Sequence, residues 1–569
     1  MPEFNLADLF EVVAATAPGR PALVAGPVRR TYAELDARAN RFGHYLESRR
    51  LPIGTHVGIL AYNRVEWLEA MLGCFKARMV PINVNYRYVA PELRYIIANA
   101  DLEVLVLERP FLGLVDEATE GDGRAPALVV IEDDLRSSLS LSLDPDTVGR
   151  PEDVDRGSVG FEAALAAADP TPPGRPRSPD DHYVLYTGGT TGQPKGVVWR
   201  QEDIFFAAMG GGGWGGAPID RPEELSQRIP ADDGARAVML VTAPLMHGNA
   251  QWASFSAFFM GGTVVLYTER AYDARSILRL VEDEHVVSVA LVGDAMARPI
   301  AEAVSAAPPG TYDTSSLLAI GSGGAMLSAA VKSELAETLP GVMIMDRFGA
   351  SESGAQGAVE HGALGPKFVM GPDTTVLDEA LHPLSPGDGR VGRLARSGRI
   401  PLCYYKDDAK SAATFPVDDR GTRWSVPGDL AAIEPDGTIT VLGRGSASIN
   451  SGGEKIFPEE VESAIKSHPD VFDAIVVGVP DDRFGERVAA LVRLRRPERA
   501  LSLEDLQDHC RGSIARYKVP RQLLLVDEIP LTAAGKPDGK AARALLEGGP
   551  DANSVVPRGQ DGSGTSPPA

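Results

Sequence analysis

The chain has 569 residues, 44% hydrophobic and 24% charged, the make-up of a globular protein long enough to bury its cores without disulfides or bound metals. Its 56 basic and 78 acidic side chains leave a net charge of −22. That excludes a surface built to lie along nucleic acid or an anionic membrane, but not a locally positive pocket for a small anion. The three cysteines (Cys74, Cys403, Cys510) are too scattered for a disulfide framework or a CxxC metal site, and the nine histidines show no H-E-x-x-H spacing. No run approaches the roughly 18 apolar residues of a membrane span. The opening MPEFNLADLF lacks a basic stretch followed by an apolar one, so a cytoplasmic location is expected.

In chain order, residues 56–61 read as a short buried strand. Trp67, Met71, Cys74 and Phe75 mark one face of a helix, and residues 78–84 return as a strand. This β-α-β unit predicts a parallel sheet. Further apolar strands are expected at 182–185, 238–241, 262–267 and 286–291, with a helix over 274–283 between the last two. A strand over 438–442 precedes a change of texture near residue 444. Beyond it, Pro458 at a first helical position with Glu459 and Glu460 in the first turn starts a helix. Strands over 474–479 and 488–493 and a helix from Ser502 follow. The expected fold is therefore α/β, with a large N-terminal domain of parallel-rich sheets over 1–443 and a hinge at 444–446. A small α+β domain over 447–547 and a disordered Gly/Pro/Ser-rich tail over 548–569 complete it.

One segment carries chemistry by composition alone. After the strand at 182–185 come Thr187, Gly188, Gly189, Thr190, Thr191, Gly192, Gln193, Pro194, Lys195 and Gly196. The glycines let backbone N–H groups approach an anion, the threonine hydroxyls donate hydrogen bonds, and Lys195 adds charge, which is what cradling a polyphosphate requires. It is not the G-x-x-x-x-G-K-[ST] loop, which occurs nowhere in the chain. Two other near-matches are set aside. Residues 211–216 satisfy G-x-G-x-x-G but lack a preceding strand and a following helix, and 349–353 lack the last glycine of G-x-S-x-G.

The 187–196 block resembles the phosphate loop of the adenylate-forming superfamily of acyl-CoA ligases, luciferases and peptide-synthetase adenylation domains. Phe348-Gly349-Ala350-Ser351-Glu352, Pro427-Gly428-Asp429, Gly443-Arg444, the stretch Ser451-Gly452-Gly453-Glu454-Lys455 and Gly535-Lys536 resemble its later blocks, in order. The wording of 195–200, 292–299 and 443–455 is similar to actinobacterial steroid side-chain and fatty acyl-CoA ligases. Departures are Gly188 for a common Ser, Phe348 for Tyr, Ser351 for Thr, Pro427 for Thr, and Ser446 where relatives carry Asp or Lys.

The resemblance implies an AMP-forming ligase that uses ATP, Mg²⁺ and coenzyme A. A carboxylate attacks the α-phosphate of ATP, pyrophosphate leaves, and a thiol then displaces AMP from the acyl adenylate. It assigns the nucleotide to Thr187–Gly192, Lys195, Gly323, Gly324, Ala325, Asp346, Arg347, Phe348, Gly349, Ala350, Ser351, Asp429 and Arg444. Mg²⁺ falls to Glu352 and Thr190, in keeping with a hard cation's need for oxygen. Lys536 would stabilise charge in the adenylation transition state, then swing away with the mobile small domain so that CoA enters past Ser451, Gly452, Gly453 and Lys455. His247 would stand beside the reacting carboxylate, with Gly248, Asn249, Trp252 and Gly293 lining the acyl pocket. Amino-acid-activating relatives carry Asp where this chain has Gly248, which points to an acid without an α-amino group. A separate acyl carrier protein as acceptor, a non-catalytic nucleotide- or acyl-binding protein, and a homodimer are left open.

Overall fold

The strand His56–Leu60, the helix Val65–Lys76 and the strand Val80–Asn83 form the expected β-α-β unit, the two strands lying parallel with His56 opposite Val80 and Ile59 opposite Asn83. Both strands are buried along their whole length, as the continuous apolar runs of a sheet covered on two faces should be. Leu102–Glu108, Ala127–Ile131 and Val159–Gly160 extend this sheet in parallel on the other side. The structure, a computed structural model, describes residues 3–121, 125–132, 158–187, 193–213, 216–230, 237–325, 327–362, 365–444, 449–451, 454–481, 485–514, 516–532 and 536–548.

A second sheet, thirteen-stranded among the described residues, carries most of the candidate site. Its centre is parallel: Thr263–Leu266, Val238–Val241, Ser288–Leu291, Ala319–Gly323 and Met343–Ala350 lie side by side in that order. Alternate residues face opposite layers. Val289, Leu291 and Ile320 share a core with the helices Ala274–Asp283, Gly293–Ala306 and Ala329–Thr338, while Met239, Val241 and Ala290 share one with Ala250, Phe255 and Phe258 of the helix Gly248–Phe259. From Gly354–Gly362 onward the sheet turns antiparallel, through Gly365–Val369, Thr438–Arg444 and Asp429–Ile433.

The hairpin of His182–Thr187 and Lys195–Arg200 takes Cys403–Tyr404 as a third strand. It is stitched to the first sheet by Asn83, whose side-chain amide donates to the Tyr186 carbonyl at 2.8 Å and accepts from the Tyr186 N–H at 2.8 Å.

Arg444 ends the large sheet, and Ile449–Ser451 opens a separate one with Glu454–Ile456, Val471–Asp481, Gly485–Leu494 and Gln522–Leu525. The helices Pro458–Lys466, Leu503–Arg511 and Gly539–Gly548 cover it. Pro458 is the first helical residue and Ser502 caps the next helix, accepting from the Asp505 N–H at 3.1 Å. The hinge residues Gly445 and Ser446 and the tail from 549 lie outside the described residues. No described helix is long and apolar enough to cross a membrane.

Candidate active site

Thr187 pairs with Lys195 across the hairpin, so the predicted phosphate loop falls between two paired strand ends. Gly188, Gly189, Thr190, Thr191 and Gly192 lie outside the described residues. Lys195 forms an ion pair with Asp407, and its ammonium stands 5.9 Å from the Tyr404 ring centroid. The Tyr404 hydroxyl in turn donates to Glu352 Oε1 at 2.8 Å. Lys195 and Glu352, 157 positions apart by their numbers, thus meet around one tyrosine. Glu352 is held from behind: its carbonyl accepts from the Ser425 hydroxyl, and the carbonyl of Ser351 accepts from the Trp199 indole at 2.9 Å. Sequence reasoning missed Tyr404 and Asp407. No motif or period marks them, and only the pairing of Cys403–Tyr404 with Val197–Val198 brings them here.

Strand alternation sorts the predicted nucleotide residues on Met343–Ala350. Asp346 is buried on the side of the helix Ala329–Thr338, where it accepts from the backbone N–H groups of Leu327 and Arg347. Burial pushes its pKa up to about 6, with Lys332 opposing. Arg347 faces the other way, in register with Gly323. Its guanidinium is open to solvent yet hemmed by protein, and that crowding lowers its pKa. Phe348 stacks one face on Phe368, with ring centroids 5.5 Å apart and planes 13° from parallel. Asp346 is therefore separated from Arg347 by the sheet.

The floor beside this strand is glycine. A Cβ built on Gly323 would lie 3.2 Å from Asn249 Oδ1, which places that face opposite the helix Gly248–Phe259. Gly321, two residues earlier on the same face, is open: an added Cβ would meet nothing nearer than the Val289 carbonyl oxygen at 3.8 Å. Gly321 lies in register with Ala290 and Met345, and its missing side chain leaves space on the face turned to the helix Gly248–Phe259. Asn249 anchors that helix by donating to the Leu291 carbonyl at 3.2 Å, and the Trp252 indole donates to the Tyr183 hydroxyl at 3.2 Å. Gly248 packs tightly, since a Cβ there would come within 2.6 Å of Leu185, so no acidic side chain fits without moving that leucine. Gly293, the buried first residue of the helix Gly293–Ala306, has φ 58°, and Gly324, just before Ala325, has φ 90°.

His247 immediately precedes the helix Gly248–Phe259. Burial lowers its pKa to about 4, helped by the nearby cations Lys536 and Arg87. The imidazole is therefore neutral at pH 7. Lys536, from the small domain, is thus near enough for its charge to act on His247. Lys536 sits on a turn tied by Thr532, whose N–H donates to the Lys536 carbonyl at 2.7 Å and whose hydroxyl accepts from the Lys536 N–H at 3.3 Å.

Asp429 is buried at the head of its strand, paired in the ladder with Arg444, whose side chain is not among those described. Gly443, beside it, adopts φ 103°, and a Cβ there would lie 2.1 Å from Glu459 Oε2 of the small domain. Of the predicted CoA residues, Ser451 is buried and pairs with Glu454, Gly452 and Gly453 lie outside the described residues, and only the backbone of Lys455 is described, opposite Asn450. No group of three or more acidic, His or Cys side chains among the described residues could cage a metal. The single carboxylate of Glu352 beside Lys195 fits instead a cation carried in on substrate phosphates, the usual habit of Mg²⁺.

The AMP-binding enzyme family matches residues 10–403, and the AMP-binding enzyme C-terminal domain matches 460–536. A 3-oxocholest-4-en-26-oate–CoA ligase of Rhodococcus rhodochrous is 44% identical over 552 residues, covering 95% of each chain. A medium/long-chain-fatty-acid–CoA/3-oxocholest-4-en-26-oate–CoA ligase of Mycolicibacterium smegmatis is 42% identical over 554 residues, 95% of this chain and 96% of its own. Among solved structures, the anthranilate CoA ligase AuaEII in complex with anthranoyl-AMP superposes with a TM-score of 0.79 at 23% identity, over 96% of this chain and 98% of its own. The chain belongs to the AMP-binding enzyme family, with the large and small domains of the adenylate-forming fold.

Proposed function

We propose that this chain is an AMP-forming acyl-CoA ligase for bulky apolar carboxylic acids, steroid side-chain and fatty acids in particular. The observation that carries the reading is the convergence of Lys195 and Glu352 on Tyr404, with Lys536 near enough to the buried His247 to act on its charge. The acid lies in the space beside Gly321 that faces the helix Gly248–Phe259, its carboxylate beside a neutral His247 that does not compete as a counter-ion. The phosphates of ATP would lie between Thr187 and Lys195, and Glu352 would hold the Mg²⁺ that offsets their charge. Lys536 then faces the carboxylate and the α-phosphate, where charge builds during attack; removing such a group costs about 10²-fold or more in rate. Coenzyme A is the acceptor, reaching the adenylate after the small domain turns about residues 444–446. The steroid and fatty acid readings draw on the relatives at 44% and 42% identity.

The test is mass spectrometry of thioesters formed from ATP, Mg²⁺, CoA and a pool of fatty, steroid and aryl acids, beside Lys536→Ala. A thioester that falls at least 10²-fold in the variant supports the reading. Acyl-AMP without thioester would move the acceptor to a carrier protein, and no AMP with any acid would overturn the ligase reading.

A further inference from the structure

The two domains are joined by a cluster of charge that catalysis, as described so far, does not use. Arg495 is fixed to its own small domain, its backbone N–H donating to the Asp470 carbonyl at 2.9 Å and its Nε to the Val471 carbonyl at 3.2 Å. From there its guanidinium crosses to the large domain, pairing with Glu334 and coming within 3.8 Å of Glu302. Glu334 also holds Arg298, at 3.3 Å. The Arg298 side chain is fully buried, and its Nε and Nη2 have no hydrogen-bond partner among the described residues. Instead Arg298 lies 5.4 Å from the ring centroid of Phe472 in the small domain, which Arg493 also approaches at 4.4 Å. Alongside, Asp294 of the large domain acts electrostatically on Lys466 of the small one. A guanidinium buried with two unsatisfied nitrogens is costly unless its charge is compensated; Glu334 does so from within the large domain, and the Phe472 ring adds its share only while the small domain stays docked as it is.

We propose that Glu334 and Arg495 are positioning residues for adenylation, acting through Lys536: their ion pair clamps the small domain in the orientation that keeps Lys536 close to His247. The clamp has to open before the thiol step, so the two half-reactions depend on it with opposite sense. This rests on the ligase reading above, and the experiment separates the two. In the full-length protein, adenylation is followed as acid-dependent pyrophosphate release without CoA, and transfer as thioester formation from a supplied acyl adenylate. Domain orientation is followed independently by electron-spin distances between labels at Gln227→Cys and Glu504→Cys, in a Cys403→Ser background. Arg495→Gln should slow adenylation at least tenfold, leave transfer within about twofold or faster, and broaden a distance that is narrow in the parent. Arg495→Lys should recover much of the adenylation rate, and raised salt should slow the parent more than Arg495→Gln. A parent that makes neither adenylate nor thioester sinks the ligase reading while leaving the distances to judge the clamp. Equal loss in both half-reactions, or a distance distribution in Arg495→Gln identical to the parent, would overturn the clamp itself.

Discussion

Gly321→Val tests whether the space beside it holds the acyl chain. Gly321 lies on a strand at a φ that any residue adopts, and the nearest atom to an added Cβ is 3.8 Å away, so the variant should fold. Valine also suits a strand. Its three carbons would occupy space otherwise open to substrate. At about 0.8 kcal/mol per buried methylene, excluding three from contact costs about 2.4 kcal/mol, or roughly 60-fold in kcat/KM at 1.36 kcal/mol per tenfold. The loss should fall only on acids long or bulky enough to pass residue 321. The assay is kcat/KM for straight-chain acids of increasing length and for a steroid side-chain acid, with CoA thioester as product and Tm as a control for folding. A break in the series, with short acids unaffected and long ones down by one to two orders of magnitude, is expected. A uniform fall at every length, or none at any, would refute the placement of the chain over Gly321.

How far the site could be read in advance depended on whether its parts are local. The strands at 56–60 and 238–241 were legible because buried parallel strands are short continuous apolar runs, and so was the first strand of the phosphate hairpin, whereas its second strand, Lys195–Arg200, was not read as one. The large sheet from Met343–Ala350 onward was not legible, apart from Thr438–Arg444. Met343–Ala350 alternates exposed Met343 and Arg347 with buried Asp346, and Gly354–Gly362 is a third glycine, so neither has a run to recognise. For the same reason Asp346 looked like a neighbour of Arg347, whereas the pleat sends it to the opposite layer. Tyr404, Asp407, Glu334 and Arg495 were beyond reach for another reason. Each acts through a partner more than fifty residues away, and a charged side chain that will be half-buried across an interface has no local mark to tell it from a solvated one.

Two further substitutions probe the hinge and the sheet. Gly443→Ala puts a side chain at φ 103° and within 2.1 Å of Glu459, so stability should fall by about 1–2 kcal/mol from backbone strain alone. Adenylation should fall further because the small domain can no longer seat. Adding Glu459→Ala should restore part of the adenylation rate and little of the stability in thermal unfolding, and a full rescue of both would show the strain argument to be wrong. Asp346→Asn separates structural from nucleotide roles through pH. The Asp346 carboxyl is 4% exposed, and burial, with Asp294 adding to it, raises its pKa from 3.8 to about 6. Between those values the folded state holds a proton that the unfolded state has released. The stabilisation this gives is complete below pH 3.8 and is lost as pH rises through 6, at a cost of up to about 3 kcal/mol, taking 1.36 kcal/mol per pH unit. Asparagine carries no charge to bury. Its Tm advantage over the parent should therefore grow between pH 4.5 and pH 8, while the KM for ATP stays within about twofold, because the carboxyl faces the helix Ala329–Thr338 and not the cleft. A stability gap flat with pH would mean the carboxylate is better compensated than its surroundings imply, and a large rise in KM for ATP would put Asp346 back at the nucleotide.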